Sequence, residues 1–245
     1  MSRRLAIVSF DAVSTLIKPG GGGVGCQYAA AAKKLIGREF DPDALQSAFY
    51  IEFKRQLNEY PNYGYEKNMS ERQWWTDVVV STFKNGSTNL LHSEDDLEGV
   101  ASHLFENFEW DLYPNARQLL HYLKVLKGLK LCVVSNSDER LRAILGEKGL
   151  SSYFDLVLTS RGVGVEKPDA RIFERVFQHF ADENGTMKPE RVIHVGDDVV
   201  CDFDAAKKLG MKAILVDHRQ SLTKSDFICH DLVDLREKID AINDD

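Results

Sequence analysis

The stretch Leu5-Ala6-Ile7-Val8-Ser9-Phe10-Asp11-Ala12-Val13-Ser14-Thr15-Leu16 decides how this sequence of 245 residues reads. Its first six residues are almost uninterruptedly apolar, the pattern of a short strand buried on both faces. The run stops at a carboxylate, Asp11. Four later runs have the same character: Lys130–Ser135, Leu156–Thr159, Val192–Val195 and Ala213–Val216. Helix-patterned segments separate or follow them at Asn115–Leu126, Glu139–Lys148, Ala170–Phe180 and Cys201–Leu209. Such alternation predicts right-handed βαβ units, and so an α/β fold with a doubly wound, mostly parallel sheet. Asp226–Cys229 adds an expected edge strand and Leu232–Ile242 a closing helix.

One interval breaks the rhythm. About 120 residues separate the first strand from the second, where a crossover needs roughly 20 to 30. Within it, Tyr28–Leu35, Asp43–Leu57, Ser70–Phe83 and Glu94–Phe108 show helical periodicity, and no strand is expected. The expected organisation is therefore a core of residues 1–17 and 112–245, interrupted by an all-helical insert over 18–111. The insert ends near Tyr113-Pro114, where proline suits the first turn of a new helix. The glycines Gly20–Gly23 and Gly25 at its start lack the Gly-Lys-Ser/Thr ending of a P-loop and read as a flexible hinge.

The totals exclude several classes. A net charge of −7 argues against a nucleic-acid or anionic-membrane partner, although a metal and helix N-termini can still make one pocket locally positive. No apolar stretch reaches the roughly 18 residues of a membrane span, and the run ending at Asp11 is too short for a signal peptide. The cysteines at 26, 132, 201 and 229 have no metal-ligand spacing and read as reduced thiols of a cytoplasmic protein. The sequons at Asn68, Asn85 and Asn184 are then chance matches.

In open α/β sheets ligands bind beyond the carboxyl ends of the strands. There stand Asp11, Ser135-Asn136, the Lys167-Pro168 loop, and Gly196-Asp197-Asp198 with Asp202. Asp11, Asp197 and Asp202 would repel one another strongly unless a cation sat among them, and oxygen ligands select Mg²⁺. Lys167 and the Ser135 hydroxyl would complete a cradle for a phosphoryl group, with Ser135 opening a helix whose N-terminus favours anions. An aspartate in that setting can attack phosphorus directly. Each piece alone has an ordinary explanation as a cap or loop; the ordered set does not.

That ordered set, Asp11-x-Val13-x-Thr15-Leu16, Val134-Ser135-Asn136, Lys167-Pro168 and Gly196-Asp197-Asp198 with Asp202, resembles the haloacid dehalogenase superfamily over nearly the whole chain. The resemblance implies a Rossmannoid core with a C1-type helical cap over residues 18–111. It implies Asp11 as nucleophile and metal ligand, with the Val13 carbonyl and Asp197 as further ligands of Mg²⁺. Ser135, Asn136 and Lys167 would bind phosphate, and Asp202 would orient Lys167 or reach the metal. A narrower likeness within the family rests on Pro61-Asn62-Tyr63-Gly64 and Arg72-Gln73-Trp74-Trp75-Thr76-Asp77. The expected role of Trp74 and Trp75 is core packing, and His194 reads as a satisfied core histidine.

One residue departs from the family's phosphatases. They carry a second aspartate, a general acid/base, two positions after the nucleophile, where this chain has Val13. Valine cannot move a proton, and such catalysis is worth about 10²–10⁴-fold. The resemblance therefore leaves two readings: a Mg²⁺-dependent hydrolase of a phosphorylated small molecule, or a weakly catalytic protein that binds a phosphorylated ligand or a protein partner. Metal-free dehalogenase chemistry fits poorly with Asp197. Phosphonatase chemistry would need a cap lysine, and Lys33, Lys34 and Lys54 read as a solvated helix face.

Overall fold

The computed structural model describes residues 5–87, 93–181, 185 and 187–244. The sequon at Asn184 lies outside them. The chain divides into two compact units, Met1–Lys18 with Leu112–Asp245, and Pro19–Asp111.

The strands, in chain order, are β1 Ile7–Phe10, β2 Ile17–Pro19, β3 Trp110–Leu112, β4 Lys130–Ser135, β5 Leu156–Thr159, β6 Val192–Gly196, β7 Lys212–Val216 and β8 Ile228–Cys229. Six of them form one sheet in the order β5-β4-β1-β6-β7-β8. Every pairing in it is parallel. The apolar run that ends at Asp11 is in the middle of this sheet, and Ile7, Val8 and Phe10 are wholly buried. Register places Phe10 opposite Val133 on β4 and Val195 on β6. Asp11 continues the ladder by one bond, its N–H donating to the Val195 carbonyl at 2.8 Å. The nucleophile candidate thus has a backbone fixed by the sheet, not by a loop.

The helix Ala170–His179 shows how the sheet is covered. Ile172, Phe173 and Val176 share one face and pack with Ile7, Cys132, Val134 and Val192. The other unit has its own interior, where Tyr28, Leu45, Phe83 and Val100 join the helices Val24–Ile36, Pro42–Glu59, Glu71–Asn85 and Glu94–Asn107. Three of these helices have capped N-termini: Asp41, Ser70 and Ser93 each accept a backbone N–H from the first turn. Trp74 is fully buried and donates its indole N–H to the Tyr60 carbonyl at 3.0 Å, so core packing accounts for it. Lys33, Lys34 and Lys54 are exposed.

Two expectations need correction, and the glycine run between them takes a definite form. The interval 18–111 is not all helical, because the short strands β2 and β3 pair as a two-stranded sheet reaching into both its ends. Three residues each are too few to show an alternating pattern. The glycine run is a turn with positive φ at Gly21, Gly22 and Gly23, clamped by Gln27, whose amide donates to the Gly20 and Glu109 carbonyls. Gly25 serves close packing, since a Cβ there would lie 2.0 Å from the Pro42 carbonyl oxygen. Ser135, lastly, does not open a helix. The helix after β4 begins at Arg140, and a short polar loop over residues 136–139 intervenes. Among the described residues no helix is long and apolar enough to cross a membrane.

Candidate active site

The carboxyl ends of β1, β4 and β6 bring together Asp11, Ser135 and the Gly196-Asp197-Asp198 turn. After β1 the chain folds tightly back, with Leu16 and Ile17 both donating to the Ala12 carbonyl at 2.8 and 3.0 Å. No described hydrogen bond takes up the carbonyl of half-buried Val13. Asp11 is 6% exposed. Its Oδ1 accepts from Ser135 Oγ at 2.9 Å and from Lys167 Nζ at 2.8 Å. Among the described residues its Oδ2 meets only the Thr15 hydroxyl, at 3.5 Å.

Lys167 is buried and bridges two carboxylates, reaching Asp202 Oδ1 at 2.6 Å as well as Asp11. Burial alone would drive its ammonium toward neutrality, but the charges of Asp11 and Asp202 outweigh that and hold its pKa above the usual lysine range. The same ion pair works on Asp202, whose pKa burial would raise and Lys167 and His194 hold well below the carboxylate range. Asp11 goes the other way. Burial raises its pKa, and neither Lys167 nor Ser135 fully cancels the effect.

Asp197 stands at the exposed rim, yet its carboxyl is pushed up to about 7 by partial loss of hydration, then by the charges of Asp11 and Asp202. Ligand oxygens of Asp11, Asp197 and Asp202 lie within 4.8 Å of one another. Three carboxylates set against one ammonium leave two negative charges, the complement of a divalent cation. Oδ2 of Asp11, the Asp197 carboxylate and the Val13 carbonyl are hard oxygens of the kind Mg²⁺ takes. Asp202 differs from them: Oδ1 holds Lys167 and His194, and Oδ2 accepts the Asp198 N–H at 3.0 Å. Asp198 itself caps the next turn, accepting from Val200 and Cys201 at 2.8 and 2.7 Å.

Asn136 lies beside Ser135 but is turned to the Lys167 backbone, its Oδ1 accepting the Lys167 N–H at 2.7 Å and its amide donating to the Lys167 carbonyl at 2.9 Å. It therefore fixes the loop that carries the lysine. Gly196 is needed for a different reason, since a Cβ there would lie 2.1 Å from Asp202 Cγ.

Residues 5–210 match the model of the haloacid dehalogenase-like hydrolases. The chain belongs to the haloacid dehalogenase-like hydrolase family. Haloacid dehalogenase-like hydrolase domain-containing protein 3 of Xenopus laevis is 36% identical over 219 residues, covering 86% of this chain and 84% of that protein. The narrower likeness carried by Pro61–Gly64 and Arg72–Asp77 is to this kind of relative. Among solved structures, the HAD-hydrolase YfnB of Bacillus subtilis, bound to magnesium, superposes with a TM-score of 0.70 at 16% identity, covering 97% of this chain and 99% of that one. L-2-haloacid dehalogenase of Xanthobacter autotrophicus gives 0.64 at 20%, with coverages of 96% and 98%. At these identities the two structures speak for the fold alone. The HAD-like hydrolase fold thus places its motif residues at one sheet end here.

Two contributors had little signal in the sequence. His194 is buried and satisfied, but its partner is Asp202, at 3.0 Å from Nε2. The available hint was a polar residue inside an apolar strand, two positions before Gly196. His218 had none; its Nε2 lies 3.0 Å from the Thr15 carbonyl, and its ring stacks on Tyr113 at 3.6 Å.

Proposed function

We propose that this HAD-like hydrolase cleaves the phosphoester bond of a phosphorylated small molecule with the help of Mg²⁺, using Asp11 as nucleophile. The observation that carries the reading is the charge set at the sheet end. A buried lysine ties Asp11 to Asp202, while Asp197 and Asp11 Oδ2 are left for a hard cation. Asp11, Asp197 and the Val13 carbonyl would hold the ion, which supplies charge neutralisation for the phosphoryl oxygens. A carboxylate oxygen of Asp11 forms the new bond to phosphorus as the ester oxygen departs with its electron pair. Lys167 and Ser135 lie beside that carboxylate and can donate to the phosphoryl oxygens. Water then attacks phosphorus, releasing inorganic phosphate and restoring Asp11.

Val13 sets the limit. With no carboxyl at that position, the leaving oxygen must depart unprotonated or take its proton from substrate or solvent, so good leaving groups are favoured. The same residue supports a second reading, a weakly catalytic protein that binds a phosphorylated ligand. Metal-free dehalogenation has less support, because it gives Asp197 nothing to hold.

Turnover of an activated aryl phosphate with Mg²⁺ separates these. We expect a metal-dependent rate abolished in Asp11→Asn. Val13→Asp should raise the rate on a poor leaving group by about 10² or more. No metal-dependent rate, or a rate that survives Asp11→Asn, overturns the enzyme reading.

A further inference from the structure

Beneath the charge set runs a buried row of polar side chains. Parallel register places Ser9 of β1 opposite Cys132 of β4 and His194 of β6. Ser9 Oγ lies 2.9 Å from His194 Nδ1, and His194 Nε2 lies 3.0 Å from Asp202 Oδ1. Ser9 is wholly buried and His194 is 1% exposed. The ring is pinned further by Phe173, edge-on at 5.0 Å.

We propose that His194 is a positioning residue, a neutral imidazole whose Nε2–H, oriented by the Ser9 hydroxyl, holds Asp202 where it can anchor Lys167 against Asp11. The direction of the chain follows from its far end. Asp202 takes the Lys167 ammonium on Oδ1 and the Asp198 N–H on Oδ2, so it is an ionised acceptor and needs a donor from His194. A ring that donates from Nε2 and stays neutral must accept at Nδ1, and among the described residues the Ser9 hydroxyl is the group hydrogen-bonded there, so it donates. Losing His194 would leave Asp202 short of one donor inside the protein, where a missing hydrogen bond to a charge is costly. Asp202 would then swing or take up water, and Lys167 would lose its second anchor. The buried chain therefore passes from Ser9 through His194 and Asp202 to Lys167 and Asp11, and His194 acts only through Asp202.

The kinetic consequence rests on the proposed phosphoester reading, but the positioning itself does not. Two measurements on the metal-free full chain decide it. Long-range ¹H–¹⁵N spectra of histidine-labelled protein at neutral pH should show the His194 proton on Nε2; a proton on Nδ1 overturns the proposal. The rate at which an amine reagent modifies Lys167, followed by peptide mass spectrometry, should rise in His194→Leu and return toward wild type in His194→Gln. Gln replaces the Nε2 donor, whereas Leu replaces only the volume. Equal labelling in Leu, Gln and wild type makes His194 a packing residue and overturns it. If the aryl phosphate is turned over, His194→Leu should lower kcat by about 10–100-fold, with most of the loss recovered in Gln. A rate in Leu equal to that of wild type again overturns the proposal, while a wild type that lacks any rate sinks only the phosphoester reading.

Discussion

Gly196 leaves no room for a side chain at the sheet end. Its φ is ordinary for any residue, yet an added Cβ would sit 2.1 Å from Asp202 Cγ and 2.6 Å from Asp202 Cβ. A long side chain would rotate away, but Asp202 is short and held by Lys167, His194 and the Asp198 N–H. Gly196→Ala should therefore displace Asp202 and cost at least about 10²-fold in turnover, the usual penalty of a misplacement near 1 Å. Activity within a few-fold of wild type would show that Asp202 has room to move. Lys167→Met tests the opposite side of the same set. It strands two buried carboxylates without their ammonium, so the protein should lose about 3–5 kcal/mol in denaturant unfolding.

Among the secondary-structure elements, the legible ones were those whose physics is local. β1, β4, β6 and β7 declare themselves because strands buried on both faces must be continuously apolar, and β5, a half-buried edge strand, because Leu156-Val157-Leu158 is an unbroken apolar run. β2 and β3 do not, because their pairing joins segments about 90 residues apart and needs only three residues from each. At the site, Asp11, Ser135, Lys167 and Asp197 could be found from their places after successive strands. What each one holds could not. Lys167 meets Asp202 across 35 residues of chain, and Ser9 meets His194 across 185. Asp155, just before β5, shows the same long reach. It accepts the Leu131 N–H at 2.9 Å and pairs with Lys124 and Lys130. Burial pushes its pKa up, but the Lys124 hydrogen bond and the Leu131 N–H outweigh this and hold it below the usual value. A depressed carboxylate adds stability above its unfolded pKa and loses it as pH falls through the folded one. Asp155→Asn should therefore cost about 1 kcal/mol near neutral pH. The gap should close as both proteins are melted at successively lower pH. A gap that stays constant down to pH values near 3 would show that the charge on Asp155 contributes nothing.

Over the whole molecule, the composition contains a convenient reporter. All three tryptophans, Trp74, Trp75 and Trp110, belong to the unit Pro19–Asp111. Tryptophan emission therefore follows that unit alone, whereas far-UV circular dichroism follows both. Each unit also buries its own apolar interior, one around Phe83 and the other around Phe173, and both side chains are fully buried. Two interiors of this kind need not unfold in a single step, since the all-or-none approximation belongs to single domains. Truncating either phenylalanine removes about 3–5 kcal/mol from the interior that contains it. Phe83→Ala should move the fluorescence transition to lower denaturant and split it from part of the dichroism change. Phe173→Ala should shift a dichroism transition that fluorescence does not follow. If the two signals stay coincident in both variants and move together, the chain unfolds as one cooperative body, and the division into two units describes its geometry but not its energetics.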